Sequence, residues 1–443
     1  MSSSSTRADA TTSIPEVLQL LQNEPETYFE QLEANFEQRE SQVQAFMPEE
    51  QRFARLREDY EMLKQLYSEI DSRPPLFGLP IGVKDIFHAD GFETRAGSRL
   101  PADRLTGEQA TCVTQLKDAG ALVLGKTVTT EFAYFAPGPT RNPHNPDHTP
   151  GGSSSGSAAG VAAGLAPFAF GTQTVGSINR PAAFCGVVGF KPSYARISTA
   201  GVIPLAPSLD HVGFFTTDVG GTLALAPLLL ADWNPEELDA RLGDLAPGTI
   251  TLGVPSGPYL EGASEEAIAH FESVKVRLEV GGFRVVDVPA MPDHEAIKQR
   301  HYLILAAEAA VVHSEWFQKY GDLYHPKTAA LMDQGRGISD DQLEAVLEGR
   351  GQLRDQLQAL MEEYRLDAWI SPAAPGPAPE GIESTGDPAM NLPWTHSGLP
   401  TIGIPSGWSS NNLPLGIQVT GGWYSDERLL AEAVAVERGL AEE

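Results

Sequence analysis

Gly151-Gly-Ser-Ser-Ser-Gly-Ser-Ala-Ala-Gly-Val-Ala-Ala-Gly164 is the stretch on which the reading of the fold turns. Its first half is only Gly and Ser, and its second half is small and apolar. A solvated Gly/Ser linker has no reason to continue into alanines. This run passes without a break into Ala158–Ala163, so it reads as a loop entering the N-terminus of a buried helix. Free backbone N–H groups at such a helix start can hold an anion. No Gly-Lys-Ser/Thr ending follows, so the loop is not a phosphate-binding P-loop.

The next run outward is Gly171-Thr-Gln-Thr-Val-Gly-Ser-Ile-Asn-Arg-Pro-Ala-Ala-Phe-Cys185. A strand-like Phe168-Ala-Phe leads into a turn at Gly176-Ser177. A serine on a tight turn exposes its hydroxyl and aligns consecutive backbone N–H groups. Acyl transfer needs both, a nucleophile and donors where the oxyanion forms. A turn serine is far more often structural, so the run alone decides nothing.

No histidine presents itself as the base. Gly-x-Ser-x-Gly is absent around Ser177, which argues against an ordinary α/β-hydrolase. Gly152-Ser-Ser-Ser-Gly156 matches that elbow formally, but no strand precedes it. His-Glu-x-x-His and paired Cys-x-x-Cys are also absent, so no metal is expected. A lysine can act as base if burial lowers its pKa. Lys84 is the candidate, in Gly78-Leu-Pro-Ile-Gly-Val-Lys84-Asp-Ile, flanked by strand-like residues rather than a charged helix face.

Around this centre the texture is α/β from Leu76 onward. Short apolar runs such as Ile81-Gly-Val, Ala121-Leu-Val-Leu, Val187-Val-Gly-Phe and Ala368-Trp-Ile alternate with helical segments. Residues 264–280 read as a helix leading through Gly281-Gly-Phe into the strand Arg284-Val-Val-Asp-Val. Ser339-Asp-Asp-Gln342 reads as a capping box opening a helix to about Tyr364. Residues 1–13 are expected to be disordered, having almost nothing to bury. Residues 14–72 are expected to form two or three helices packed on the core or on a second copy of the chain, a homodimer. Residues 73–443 form the expected catalytic domain, with 233–367 as a cover over a site built elsewhere.

The 59 acidic and 31 basic residues give a formal charge of −28. Such a surface repels phosphate backbones, so no direct nucleic-acid contact is expected. Cys112 and Cys185 form no disulfide framework, which fits a reducing cytoplasm. The N-terminus has no basic segment followed by an apolar core, and no apolar stretch approaches a membrane span.

Taken together, Gly82-Val-Lys84-Asp, Gly151-Gly-Ser153-Ser and Gly176-Ser177-Ile resemble the amidase-signature family in order and spacing. Phe184-Cys-Gly-Val-Val-Gly-Phe-Lys-Pro192, Ser208-Leu-Asp-His-Val-Gly213 and Gly386-Asp-Pro-Ala-Met-Asn-Leu-Pro393 extend the resemblance. It is strong over 76–232 and poor over 1–72 and 233–367. It implies an α/β fold with a single large mixed β-sheet core flanked by helices, and a Ser–cis-Ser–Lys triad. Ser177 is then the nucleophile, Ser153 the relay and Lys84 the base. Backbone N–H groups of Thr174, Val175, Gly176 and Ser177 form the oxyanion hole. Tyr134 and Phe135 are candidates for the acyl pocket, with plain core packing as the alternative. The implied activity is cofactor-free hydrolysis of a small-molecule amide by water. The alternatives are the glutamine-amidase subunit of a tRNA-dependent amidotransferase and a non-catalytic scaffold or binding protein.

The chain departs from the family at the turn. Many members read Asp-Thr-Gly-Gly-Ser-Ile-Arg there; this chain has Gln173, Val175 and Asn179, with Arg180 one place later. Gln173 and Asn179 are expected to replace an ion pair by a neutral hydrogen-bonded pair. A β-branched Val175 requires negative φ in the turn.

Overall fold

The computed structural model describes residues 12–245 and 248–441. The expected disorder of residues 1–13 falls outside the described residues as far as residue 11. Ser13 is the N-cap of the helix Ile14–Asn23, in a capping box with Glu16.

Among the described residues ten strands form one mixed sheet. They are β1 Pro80–Lys84, β2 Leu122–Thr127, β3 Phe168–Gln173, β4 Val188–Lys191, β5 His211–Thr216, β6 Thr251–Ser256, β7 Arg284–Pro289, β8 Ala368–Pro372, β9 Thr401–Trp408 and β10 Pro414–Thr420. Their order is β2-β1-β3-β5-β4-β9-β10-β8-β6-β7. β2, β1 and β3 run parallel. The pairs from β3 through β5, β4, β9 and β10 to β8 are antiparallel, and β8, β6 and β7 are parallel again. Every residue of β1 to β5 is buried, because helices cover the sheet. Such strands read as unbroken apolar runs rather than alternating ones.

Residues 233–367, expected to form a cover, supply part of the sheet itself. β6 and β7 come from this stretch and extend the sheet, with Leu252, Val254 and Val288 buried. The helix His294–Val312 packs on Pro326–Gly335 and Asp340–Tyr364, and both His294–Val312 and Asp340–Tyr364 pack on Leu392–Ser397. Ser339 and Gln342 do form a capping box at the start of Asp340–Tyr364.

The helix Arg52–Leu66 lies beside β2, the edge strand. Arg52 Nη1 donates to Leu124 O at 3.1 Å, and Arg55 donates to Val123 O and Leu124 O at 2.9 and 3.0 Å. These side chains occupy carbonyls that an open edge would leave for another chain.

Candidate active site

β1 and β3 are parallel neighbours, so their C-terminal ends share one edge of the sheet, the edge where open α/β sheets hold their ligands. Lys84 ends β1 and Gln173 ends β3. The Gly151–Gly164 run forms a loop followed by the helix Ser155–Ala162, every residue of which is buried. A Cβ on Gly156 would collide with Ala45 O and Val128 N, so only glycine lets this helix pack so deeply. The loop presents its serines to β1 and β3, and the Gly152–Ser153 peptide is cis.

Lys84 is fully buried. Its Nζ lies 2.8 Å from Ser153 Oγ, 3.0 Å from Ser154 Oγ and 2.7 Å from Thr172 Oγ1. All three partners are neutral hydroxyls. The adjacent Asp85 does not serve as counter-ion, because its carboxylate pairs with Lys126 at 2.9 Å and accepts from the Arg95 N–H. Burial therefore pulls the Lys84 amine well below the usual lysine range, opposed only by the charge of Asp210.

The turn after β3 is fastened by side chains. Gln173 Oε1 accepts the Ile178 and Asn179 N–H groups at 2.8 and 3.0 Å. Its Nε2 donates to Thr395 Oγ1 at 3.0 Å, and Thr395 donates to Val175 O at 2.6 Å. Thr174 donates to Asp210 Oδ1 at 2.6 Å, while Asp210 Oδ2 accepts from the Leu205 and Ala206 N–H groups. A Cβ on Gly176 would lie 2.5 Å from Asn391 Oδ1 and 2.8 Å from Pro388 Cβ. Val175 has no positive φ, as a β-branched residue there requires. The expected Gln173–Asn179 side-chain pair is not formed. Gln173 takes the backbone of the turn instead, and Asn179 Nδ2 turns to Gly189 O at 3.3 Å.

The family model for Amidase matches residues 27–430 of the chain. The chain belongs to the amidase-signature family. A glutamyl-tRNA(Gln) amidotransferase subunit from Thermus thermophilus is 35% identical over 436 residues, 86% of this chain and 88% of that protein. Its counterpart from Geobacter metallireducens is 33% identical over 421 residues, 83% and 84% of the two chains. A crystal structure of an amidase superposes with a TM-score of 0.84 at 28% identity, covering 96% of this chain and 99% of that one. The protein is an enzyme that hydrolyses carboxylic amides.

In this amidase one pocket brings Ser153 and Ser177 together with the turn Thr174–Gly176 and with Tyr134 and Phe135. Ser177 is 7% exposed and Ser153 2%. Arg180 also lines the pocket, a place that its displaced position in the sequence does not disclose. Its Nη2 donates to Gly152 O at 2.6 Å and Thr385 Oγ1 at 3.1 Å, and its Nη1 to Gly386 O at 3.0 Å. It thus ties the serine loop to residues 385–386. Burial of this guanidinium lowers its pKa to about 10. Cys185 lies outside the pocket, with its Sγ donating to Pro150 O at 3.3 Å. Burial pushes its thiol far up, which disfavours the nucleophilic thiolate.

Among the described residues no helix is long and apolar enough to cross a membrane.

Proposed function

We propose that Ser177 is the nucleophile of a stand-alone amidase, with Ser153 as relay and Lys84 as base. The observation that carries this reading is a buried amine without a counter-ion, 2.8 Å from a serine that shares a pocket with Ser177. Ser154 donates to Thr172 O at 3.2 Å, so its oxygen is free to accept from Lys84. In the neutral amine, Ser154 and Thr172 take the two N–H bonds and the lone pair faces Ser153.

The steps then balance. Ser177 Oγ attacks the amide carbonyl, its proton passes to Ser153, and the Ser153 proton passes to Lys84. The carbonyl oxygen becomes an oxyanion held by N–H groups of the turn Thr174–Ser177. Lys84 returns a proton through Ser153 to the leaving nitrogen, the C–N bond breaks, and an ester on Ser177 remains. Water, deprotonated by the same relay, attacks this ester and releases the carboxylic acid and Ser177.

A second reading, a glutamine-amidase subunit working within an assembly, is favoured by the names of the curated relatives. The chain's charge of −28 weighs against direct contact with tRNA. Two free buried cysteines fit a cytoplasmic setting. The deciding experiment is amine release from a panel of amides by the purified chain alone. Turnover supports the stand-alone enzyme. Activity that emerges only with added partner proteins overturns it.

A further inference from the structure

β3 and β5 are antiparallel neighbours, and their pairing ends with Gln173 opposite His211. Thr174 and Asp210 are the next residues beyond that ladder, and their side chains meet. Thr174 Oγ1 donates to Asp210 Oδ1 at 2.6 Å. The other carboxylate oxygen accepts from the Leu205 and Ala206 N–H groups at 2.8 and 3.0 Å. One carboxylate thus joins the turn before Ser177 to the loop 204–210.

That loop is itself held from outside. Glu308, on the helix His294–Val312, accepts the Ser208 N–H at 2.8 Å and also the Ser208 hydroxyl. Tyr194 Oη donates to Pro207 O at 2.8 Å. The loop is therefore a fixed support, and Asp210 passes its position on to Thr174.

A neutral acceptor would hold Thr174 as well, but a carboxylate adds charge. Asp210 and Thr172, whose hydroxyl lies 2.7 Å from Lys84 Nζ, line one cavity of about 230 Å³. The charged and titratable groups that face Asp210 are Lys84 on β1, Glu308 and Tyr194, with His211 next in the chain. Burial keeps the His211 imidazole neutral, so Lys84 is the one cation of this set. Desolvation raises the Asp210 carboxyl to about 6 against its three hydrogen bonds, so above neutral pH it is ionised. Its charge then favours the protonated form of Lys84. Resting on the Ser177–Ser153–Lys84 reading, we propose that Asp210 is a positioning residue, which fixes the oxyanion turn through Thr174 and acts by its charge on the base Lys84.

The test measures kcat and KM across pH on an amide that wild type turns over. Thr174→Val keeps the shape of the side chain and removes its hydroxyl. It should lower kcat by roughly tenfold or more, with KM little changed and the pH limb unmoved. Thr174→Ser, which keeps the hydroxyl, should recover most of that loss. Asp210→Asn keeps the hydrogen bonding, its oxygen accepting the two N–H groups while its amide donates to Thr174 Oγ1. It removes the charge, so the limb of kcat/KM should move to lower pH by roughly half a unit or more. A merely structural role would leave that limb in place. The proposal is overturned if Thr174→Val keeps wild-type kcat, if Thr174→Ser restores nothing, or if folded Asp210→Asn leaves the limb where wild type has it. The two Thr174 variants decide the positioning role even where Asp210→Asn does not fold. In those cases the Ser177 amidase reading survives, because wild type still turns over and still labels at Ser177. If wild type hydrolyses no amide and Ser177 resists serine-directed reagents, both fail together.

Discussion

Gln173 and Thr395 fasten the turn that carries Ser177 across 222 residues of sequence, Gln173 Nε2 donating to Thr395 Oγ1 at 3.0 Å. Thr395 passes the bond on to Val175 O, while Gln173 Oε1 holds the N–H groups of Ile178 and Asn179. A single neutral amide therefore sets both ends of the turn that carries Ser177. Gln173→Ala leaves these buried groups unpaired. It should cost about 1–3 kcal/mol of stability and, if the turn holds the oxyanion as proposed, lower kcat more than it raises KM. Thr395→Val should do the same to a smaller degree. Urea denaturation and steady-state kinetics on both variants check this.

Gly176→Ala tests how closely the turn is packed. The added methyl would sit 2.5 Å from Asn391 Oδ1, and Asn391 itself belongs to a buried network with Ala373 O and Gln418. The turn must shift, and a displaced oxyanion donor typically costs about 100- to 1,000-fold in kcat. Near-normal kcat in this variant would mean that the turn is not the oxyanion site.

The positions of Lys84, Ser153 and Ser177 are legible in the sequence because each lies in a short local pattern. Gly82-Val-Lys84 is a strand end, Gly151-Gly-Ser153 a loop entering an alanine helix, and Gly176-Ser177 a turn after Phe168-Ala-Phe. The partners that hold them are not. Thr395, Thr385 and Gly386 come to the site from between β8 and β9, more than 200 residues later, and a lone threonine carries no sign of its partner. The sheet membership of β6 and β7 is hidden for a related reason. Leu252-Gly-Val and Val285-Val-Asp lie in a chemically silent stretch, and only parallel pairing places β6 beside β8 and β7 beside β6.

Arg180 should behave as a structural fork rather than a simple charge. Arg180→Met leaves Gly152 O, Thr385 Oγ1 and Gly386 O without their donor. It should lower Tm and also kcat, through the loop that carries Ser153. Arg180→Lys should recover only part of either loss, since an ammonium cannot reproduce the planar geometry. Full rescue by lysine would contradict this assignment.

The pH dependence follows from burial of Lys84. As base, it must be neutral, so kcat/KM should rise with pH through one ionisation below the ordinary lysine value of 10.5 and then level off. Lys84→Ala should lose most activity together with this limb, and Lys84→Arg should not restore it. Stability carries the same signature. Folded Lys84 sheds its proton at a lower pH than the unfolded chain does, so between those two values the unfolded state binds more protons. This contribution is fully present above the unfolded value and is lost as pH falls through the folded one. Lys84→Met should therefore flatten the rise of stability with pH in that window, as urea titrations across pH would register.

Covalent labelling reads most directly whether Ser177 is the attacking group. Wild type treated with a fluorophosphonate should gain one adduct by intact mass, mapping to the peptide that contains Ser177. The adduct should be absent from Ser177→Ala and slow to form in Lys84→Ala, with Ser177→Ala folded but inactive on amides. A label on Ser153 or Cys185, or a Ser177→Ala enzyme keeping more than a few per cent of wild-type turnover, would contradict Ser177 as the nucleophile.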